Sequence, residues 1–597
     1  MPTSGALKTN HSLRPNSEAG RRVGRRWRVA DVQAGTLAWA ALSILLLAAA
    51  ILFVHETRGT TLTFDEWVWA LHRRGGSLGT FLSPHNGHFS LLPIVIYKIL
   101  FATAGLSDYG PYRAMVIAGH LACVLLVFVY AKRRVAPAIA VALAALLLFL
   151  GPAWQNFLWP FQIAWLISIG AGVGALLALD RHDRRGDVAA CALVACSLAS
   201  SGIGLAVAIG VTVDVLARRD RRRRAWIVYG PLAVYAIWWA TYQNTSLTLH
   251  AIEHAPGFVA TAASATLAAL TGLSGSTVPF GTGTMLEFGP PLVIAAVLGL
   301  GWHLRHAANV TPRVLALLAM TGSFWLLAAV GRTGVAQGYS SRYLYVGAVF
   351  ILLLGAELLR GLRLSAPVTV IALVIVLAVL VVNVGLFSDA GSYERSEAEL
   401  VRTDLGALDI GRPAIAPGYV AADFPGFGVV VAARSYFAAE RAIGTPAASP
   451  KEIESYPDGV RREADAELIA IHRVALTPAV AAAASGTAPR WDAVLGGVVK
   501  RSGSCLDFSP AAVVSPAGAH ELQLTLPAGG VRIRAQGGPA VLAVRRFSTR
   551  FQSVGSVASG GSADLAIGRD LATAAWQVRV APTSGVTVCG LRSIGPG

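Results

Sequence analysis

The sequence predicts a polytopic α-helical membrane protein of about eleven spans, with an external α/β and β-sandwich region at its C-terminal end. Three observations predict this class: long apolar stretches, a shortage of charge, and a change of composition near residue 388. Of the 597 residues, 54% are hydrophobic and 14% are charged, and the mean hydropathy is +0.57. Soluble globular chains carry about 25% charged residues, and a charge in hydrocarbon is costly. The shortage therefore indicates a surface that faces lipid.

The basic residues set the expected orientation in the membrane. The formal net charge is +17, but the basic residues occur in short clusters between apolar stretches. This pattern excludes nucleic acid as the partner and matches the excess of Lys and Arg in cytoplasmic loops. The clusters are Arg21, Arg22, Arg25, Arg26 and Arg28; Lys132, Arg133 and Arg134; Arg181, Arg184 and Arg185; and residues 218–224. We expect a multi-pass cell-membrane protein with a cytoplasmic N-terminus and an external or periplasmic C-terminal domain.

The apolar stretches divide the first two thirds of the chain. Residues 1–30 are polar and basic and predict a disordered cytoplasmic tail, and residues 31–387 predict the transmembrane core. The stretch 33–54 is long enough to span and too long for a signal-peptide core, so it predicts an uncleaved first helix. In 188–217, the turn signal at Ser200-Ser201-Gly202 favours two short helices, and one long tilted helix is the alternative. Further spans are predicted at 111–131, 137–153, 161–179, 225–241, 288–304, 314–330, 343–359 and 366–387.

The segment 89–105 is apolar but contains Lys98. If the segment crosses the membrane, the cluster at residues 132–134 falls outside. If it lies in the interface or re-enters, every basic cluster falls inside, and we favour this second topology. The stretch 258–273, rich in Ala and Thr, predicts an in-plane or partly inserted helix.

Polar residues return after residue 388. Residues 388–490 mix Ala-rich and Gly/Pro-rich pieces and predict an external α/β segment. Residues 491–597 predict a β-sandwich, because short alternating stretches such as 521–526 and 531–534 are separated by Gly and Pro. Cys505 and Cys589 both lie there, and a disulfide would fit an oxidising compartment. The alternative is two separate buried thiols.

Polar residues that could carry chemistry gather in the expected outer loops. Asp65 and Glu66 lie just after the first span, where a carboxylate could act as a general base or hold a divalent cation against a phosphate; the alternative is a solvated loop acid. His85 and His88 close the same loop and could contact a phosphate or ligate a metal. The Asn-Gly pair that separates them is also an ordinary turn.

An acidic residue in the first external loop, followed by a polar His/Asn patch leading into an apolar segment, resembles the GT-C class of membrane glycosyltransferases. Protein O-mannosyltransferases, aminoarabinose transferases and the mycobacterial arabinosyltransferases belong to this class. The similarity covers the layout of residues 33–387, and the external β-rich domain is also similar. It implies that the catalytic acid of the class falls on Asp65, with Glu66 beside it. The loop lacks a plain Asp-x-Asp pair, and the Lys-Pro-Pro run of some members is also missing, which leaves the metal and the subfamily open.

The resemblance also implies a polyprenyl-phosphate sugar as donor, so that the leaving group is a lipid phosphate. The expected topology places four cations where they could bind it: Arg342, Arg332, Lys98 and Arg113. Arg342 opens a helix, whose N–H groups would add to an anion site; the alternative is an Arg that snorkels at a helix end. For the acceptor, we expect contacts from an aromatic and polar outer loop and from the approach to this helix: Trp154, Gln155, Asn156, Trp159 and Tyr339. The alternative for the aromatic residues is a belt at the membrane interface.

These features predict an inverting glycosyltransferase of the cell envelope or cell wall, either hexosyl- or pentosyltransferase. The expected partners are the bilayer, the donor and a glycan or other envelope acceptor. No cofactor is required by the sequence, and a divalent cation remains possible. The alternative is a non-catalytic scaffold or a lipid-linked-sugar translocase. The predicted spans are nearly free of ionisable groups at mid-depth, which disfavours the translocase.

Overall fold

The computed structural model describes residues 17–218, 220–242, 249–306, 310–332, 336–362, 364–421, 430–479, 486–511 and 520–592. The chain forms two compact units, which are described separately. The helical unit comprises Met1–Glu56, Pro84–Ser90 and Met115–Ala390, and the mixed unit comprises Thr57–Ser83, Leu91–Ala114 and Gly391–Gly597.

Helices occupy most of the chain up to residue 411. In chain order they are α1 (Ser17–Glu56), α2 (Asp65–His72), α3 (Leu78–Leu82), α4 (Leu91–Thr103), α5 (Gly110–Lys132), α6 (Pro137–Leu148), α7 (Gln155–Leu158), α8 (Ile163–Leu179), α9 (Arg184–Leu198), α10 (Ile203–Leu216), α11 (Arg221–Arg224), α12 (Trp226–Tyr242), α13 (Leu249–Leu270), α14 (Met285–His306), α15 (Pro312–Arg332), α16 (Ser341–Leu358) and α17 (Ala366–Gly411).

The chain is a polytopic membrane protein by the length and composition of these helices. Among the described residues, seven helical stretches are long and apolar enough to cross a membrane: Gln33–Glu56, Gly110–Lys132, Pro160–Leu179, Met285–His306, Pro312–Arg332, Ser341–Leu358 and Ala366–Ala414. Shorter apolar helices lie at Leu91–Thr103, Pro137–Leu148 and Ile203–Leu216. The expected number of about eleven spans remains a prediction.

Helices α9 and α10 and the start of α1 bear on two expectations from the sequence. The stretch 188–217 forms α9 and α10, which are separated at residues 199–202, as the turn signal predicted. Helix α1 begins at Ser17, so helix extends into the stretch expected to be a disordered tail. The reason is that Ala, Arg and Glu are good helix formers and continue a helix that the span already nucleates. Residues 1–16 lie outside the described residues.

Close packing holds the helical unit together. A Cβ at Gly210 of α10 would lie only 2.9 Å from the carbonyl oxygen of Ala316 in α15. Small residues at such contacts let helix backbones approach, which matters in lipid because the hydrophobic effect does not drive helices together there.

Buried ion pairs also join the ends of several helices in this unit. Arg134, in the link after α5, donates to Glu357 of α16 and to Asp180 after α8, with 2.9 Å between Nη2 and Oδ2. Arg313 of α15 lies 3.0 Å from Asp180 and 3.3 Å from Asp214 of α10. Asp214 and Glu357 lie near helix ends, and the buried opposite charges of Arg134 and Arg313 compensate them.

The mixed unit contains the remaining elements. After α17 these are β1 (Val420–Ala421), β2 (Val431–Ala432), α18 (Ala433–Ile443), α19 (Pro450–Ser455), α20 (Asp458–Ile471), β3 (Thr477–Pro478), β4 (Arg490–Leu495), β5 (Gly497–Ser502), β6 (Cys505–Pro510), β7 (Glu521–Thr525), β8 (Val531–Ala535), β9 (Ala540–Arg545), β10 (Gln552–Val557), β11 (Ser562–Leu565), β12 (Gln577–Pro582) and β13 (Val586–Gly590).

The C-terminal strands form two antiparallel sheets. One has the order β10-β9-β12-β7-β4 and the other β3-β11-β8-β13-β6-β5. In the first sheet, buried and partly exposed residues alternate along β7, as the sequence 521–526 predicted, and in the second sheet they alternate along β13. Each sheet therefore has one apolar face, which is the pattern of a sandwich.

The expected disulfide is present, between Cys505 of β6 and Cys589 of β13. The two residues are directly opposite each other in the strand register. The bridge therefore links neighbouring strands that are 84 residues apart in the sequence.

Replacing Cys505 and Cys589 by alanine is expected to lower the free energy of unfolding of the sheet region by about 2–5 kcal/mol, because the bridge closes a long loop. Thermal unfolding of the full-length protein measures this loss, and Cys191→Ala, which removes a free thiol, is the matched control. Two free thiols at these positions, in protein taken from an oxidising compartment, would contradict the pairing.

Candidate active site

Asp65 begins helix α2 after a strained residue. Phe64, the residue before the helix, has φ 47° and ψ −120°, a region that a bulky residue rarely occupies. Such strain persists only where the surroundings enforce it, and it concentrates at functional sites. Asp65 is partly exposed, and its position in the first turn of the helix favours the ionised carboxylate.

Glu66, the next residue, is 0% exposed and has a different environment. Its carboxylate accepts hydrogen bonds from the Tyr97 hydroxyl at 2.5 Å, the Tyr109 hydroxyl at 2.7 Å and the Thr63 N–H at 3.1 Å. Burial and the neighbouring Glu66 charge raise the pKa of Tyr109 well above its usual value, so this hydroxyl remains a donor. Glu66 thus differs from Asp65, because its carboxylate is buried and both of its oxygens already accept hydrogen bonds; the catalytic role expected for it stays a prediction.

Two tryptophans fix α2 within the mixed unit. The indole N–H of Trp67 donates to the Leu62 carbonyl at 3.0 Å, and its ring lies edge-on to Tyr436. Trp69 packs edge-on against Tyr97, with 4.8 Å between ring centres. Asp65 therefore lies on a firmly anchored element, as a catalytic group requires.

Lys98 and Arg113, two of the cations expected to bind phosphate, contact neighbouring backbone carbonyls in the mixed unit. Lys98 donates to the Gly75 carbonyl and, at 3.2 Å, to Thr80, and its ammonium lies over the Phe81 ring. Arg113 donates to the Thr57 carbonyl at 2.6 Å. Both cations have protein partners here, which explains their position without a phosphate.

In the helical unit, residues 85–88 form a tight turn. The backbones of His85 and His88 exchange hydrogen bonds at 2.8 and 3.1 Å. Asn86 and Gly87 have φ values of 49° and 76°, as a two-residue hairpin turn requires. The turn signal at Asn-Gly is thus confirmed. His85 is buried and packs edge-on against Phe161, with 5.4 Å between ring centres.

Arg332, at the end of α15, binds this turn. Its Nη2 donates to the Asn86 carbonyl at 2.6 Å and to Nε2 of His88. Nδ1 of His88 faces Gly202, in the link between α9 and α10. Gly202 and Arg332 are each more than a hundred residues from His88 in the sequence, and both lie against its imidazole. The structure therefore brings together two of the expected site residues, His88 and Arg332.

The surroundings of His85 and His88 bear on the metal-ligand role expected for them. Within the described ranges, no group of three or more His, Cys, Asp or Glu side chains could hold a metal ion. The Nε2 lone pair of His88 is directed at Arg332, which is a poor arrangement for a metal ligand. A metal-binding role for these histidines therefore stays a prediction, and the proposed reaction does not require a divalent cation.

Arg342 lies in the first turn of α16 and is half-buried. Its guanidinium has no hydrogen-bond or ion-pair partner in the described part of the chain, and its Nε is buried. The neighbouring Ser341 hydroxyl accepts a hydrogen bond from the Gln155 N–H at 3.2 Å. An Arg with unused donors at a helix N-terminus is suited to an anion. Tyr339, which was expected to bind the acceptor, precedes this helix in the sequence and is partly exposed.

Residues 154–162, which were expected to form an aromatic and polar outer loop, are buried in the helical unit. Trp154 and Trp159 are 2% and 4% exposed, and Gln155 and Asn156 are also buried. The physical reason is that Phe157 and Leu158 of the same short helix are apolar, and their burial keeps the segment in the core of the unit. An exposed aromatic platform for a sugar is therefore absent from these residues.

Sequence reasoning missed His120, which lies in the middle of the span formed by α5. It is fully buried, its ring stacks on Phe157, and its nitrogens contact the Tyr345 hydroxyl at 2.9 Å and the Leu148 carbonyl at 3.2 Å. His120 is an ionisable group at mid-depth, and the expectation of spans nearly free of such groups did not take it into account. Because both ring nitrogens are bonded to protein, His120 is a core residue and does not form a polar path.

Comparisons with known proteins give similar structures but no matching family. No protein-family model matches the chain, and no curated protein matches it. ArnT from Cupriavidus metallidurans, bound to undecaprenyl phosphate, aligns with 15% identity and a TM-score of 0.40 over 68% of this chain and 85% of its own. The archaeal oligosaccharyltransferase AglB from Archaeoglobus fulgidus, in complex with an inhibitory peptide and a dolichol-phosphate, aligns with 15% identity and a TM-score of 0.39, over 62% and 58%.

Arabinosyltransferase EmbB from Mycobacterium smegmatis aligns with 12% identity and a TM-score of 0.34 over 98% of this chain and 65% of its own. These three enzymes are GT-C glycosyltransferases. The chain spans less than two thirds of the archaeal and mycobacterial enzymes. At these identities and TM-scores the likeness says nothing about activity, which has to be argued from the residues of the chain.

Proposed function

We propose that this protein is a GT-C membrane glycosyltransferase that transfers a sugar from a polyprenyl-phosphate donor to a cell-envelope acceptor on the outer face. The observation that carries the proposal is Asp65: a partly exposed carboxylate, just after the first span, on an anchored helix and behind a strained residue. This combination of strain and rigid support is typical of a catalytic group.

The proposed reaction is a single displacement with inversion. Asp65 takes the proton of an acceptor hydroxyl, and the oxygen attacks the anomeric carbon of the donor sugar. The bond from this carbon to the phosphate oxygen breaks, and the electron pair leaves with the lipid phosphate. Arg342 and Arg332 stabilise the charge that develops on that phosphate. Asp65 acts as a general base, a role that typically contributes about 10²–10⁴-fold in rate.

The proposal requires sugar transfer from a lipid phosphate, which an assay with purified protein tests. Membrane-reconstituted protein is incubated with polyprenyl-phosphate sugars that carry different labelled hexoses or pentoses, and transfer to envelope glycans is measured. Transfer that depends on one donor supports the proposal. A protein that flips these lipids across the bilayer without transferring sugar would instead be the translocase. A protein that does neither, but is needed for assembly, would be the scaffold.

Arg342→Lys is expected to raise the donor KM by about 10- to 100-fold, because Lys keeps the charge but loses the planar pair of donors that suits phosphate. The change in kcat should be smaller. Arg360→Lys is the matched control, since the Arg360 side chain is 53% exposed. An unchanged donor KM for Arg342→Lys would remove this residue from the donor site.

The proposed orientation, with the N-terminus inside and the C-terminal region outside, predicts which positions a membrane-impermeant thiol reagent reaches. Ser77→Cys and Arg550→Cys should be labelled from outside in intact cells, and Arg133→Cys and Arg221→Cys should not. All four residues are exposed, so burial does not explain a negative result. Labelling of Arg133→Cys from outside would show that residues 89–105 cross the membrane.

A further inference from the structure

We infer that Glu66 is a positioning residue that clamps the strained turn carrying Asp65, an inference that rests on the proposed function. The clamp consists of the Glu66 carboxylate with its three donors, Thr63, Tyr97 and Tyr109. The carboxylate does not touch substrate.

The turn is closed from both ends. The Glu66 N–H donates to the Thr63 carbonyl at 3.1 Å, and the Thr63 N–H donates back to the Glu66 carboxylate at 3.1 Å. Phe64 and Asp65 are the two residues enclosed by this reciprocal pair. Because a φ of 47° is unfavourable for Phe64, the turn needs such a constraint to keep its conformation.

The second half of the clamp comes from distant parts of the mixed unit. Tyr97 lies on α4 and Tyr109 lies just before α5, and each donates to a different oxygen of Glu66. The Glu66 carboxylate is 0% exposed, and burying a carboxylate destabilises the fold unless its oxygens accept hydrogen bonds. Here three neutral groups, two hydroxyls and a backbone N–H, donate to the carboxylate. Neutral donors on two separate segments fix its direction and, through the turn, the direction of Asp65.

The expected consequence is a loss of alignment. A displacement of about 1 Å at a reacting group can cost about 10²-fold in rate. Loosening the clamp should therefore lower kcat while the donor KM remains the same, because the residues proposed to hold the donor phosphate are unchanged. If Glu66 were the base itself, a small carboxylate added to the solution would restore activity to a variant that lacks the side chain.

Tyr97→Phe and Tyr109→Phe test the clamp, since each removes one hydroxyl and keeps the ring. We expect kcat to fall about 10- to 100-fold in each, with the donor KM unchanged and the melting temperature little changed. Tyr112→Phe is the matched control. Its ring stacks on Tyr109 at 5.3 Å, but its hydroxyl donates to the Gly105 carbonyl and not to Glu66. Wild-type kcat in both clamp variants would overturn the inference.

Formate rescue separates positioning from chemistry. Formate should restore part of the activity of Asp65→Gly, where it replaces the missing base, and none to Glu66→Gly. Rescue of Glu66→Gly would assign the base to Glu66 and overturn the positioning role.

A third measurement does not depend on transferase activity. The rate at which Asp65→Cys reacts with a small thiol reagent should change at least several-fold when Tyr97→Phe or Tyr109→Phe is added, and remain constant with Tyr112→Phe. An unchanged rate refutes the clamp. If the rate changes but no sugar transfer is found with any donor, the clamp stands and the proposed function fails.

Discussion

Asp65→Asn is expected to lower kcat for sugar transfer by about 10²–10⁴-fold, because asparagine keeps the size and hydrogen bonding of the side chain but has no basic oxygen. The donor KM should change little, since Asp65 is not proposed to bind the lipid phosphate. Expression and membrane insertion should be normal, because the residue is partly exposed and begins a helix outside the apolar stretches. Steady-state kinetics with a labelled donor measure the effect.

The control for this variant is Asp108→Asn. Asp108 is an exposed loop acid of the same unit, and its carboxylate caps the Gly110 N–H at 2.9 Å. It should have nearly wild-type activity. If Asp65→Asn complements a deletion strain as well as the wild-type gene does, the enzymatic proposal is wrong and a scaffold role replaces it.

Arg134→Ala is expected to lower the free energy of unfolding of the helical unit by about 3–5 kcal/mol. The Arg134 and Glu357 side chains are 2% and 1% exposed, so removing the Arg takes the buried partner away from the Glu357 carboxylate and leaves it the Tyr130 hydroxyl at 2.6 Å and the half-exposed Arg360 at 3.6 Å. The same substitution also removes the ion pair between Arg134 and Asp180, whose atoms are 2.9 Å apart. Denaturant titration of the protein in mixed micelles, followed by tryptophan fluorescence, measures the loss.

Two further variants show whether this loss comes from the unpaired charge. Arg133→Ala is the matched control, because its side chain is 50% exposed and lies 3.8 Å from Asp180; it should cost about 1 kcal/mol or less. The double variant Arg134→Met, Glu357→Leu should recover much of the stability, since replacing both partners by apolar groups removes the buried charge. Equal losses in the Arg133 and Arg134 variants would show that burial of the pair is unimportant.

The membrane class and several local features could be predicted from the sequence because they depend on neighbouring residues. Composition and apolar length predicted the polytopic helical class. Ser200-Ser201-Gly202 predicted the break between α9 and α10, and Asn86-Gly87 predicted the tight turn. The pair Cys505 and Cys589 could be predicted because no other cysteines lie in the C-terminal region. In each case a short-range steric preference or a simple count was sufficient.

The environment of individual side chains could not be predicted in the same way. Asp65 and Glu66 are adjacent and chemically similar, but only Glu66 is sealed under Tyr97 and Tyr109, which come from residues 31 and 43 positions away. Trp154 and Trp159 have the amphipathic character of a membrane belt, but the packing of the helical unit buries them. His120 was missed because nothing in its apolar span indicates its partners, which come from α16 and the end of α6.

By itself, the sequence determined that the chain enters a membrane, that apolar helices precede a stranded C-terminal region, and that Cys505 and Cys589 form a disulfide. The tertiary structure decided which polar groups have protein partners. Glu66, Lys98 and Arg113 are hydrogen-bonded to the protein, Arg332 donates to His88, and the buried Nε of Arg342 has no hydrogen-bond partner within the described residues. The physical reason is the distance along the chain over which each interaction acts. Hydropathy and turn preference act over a few residues, whereas hydrogen bonds and ion pairs are completed by groups that only folding brings together.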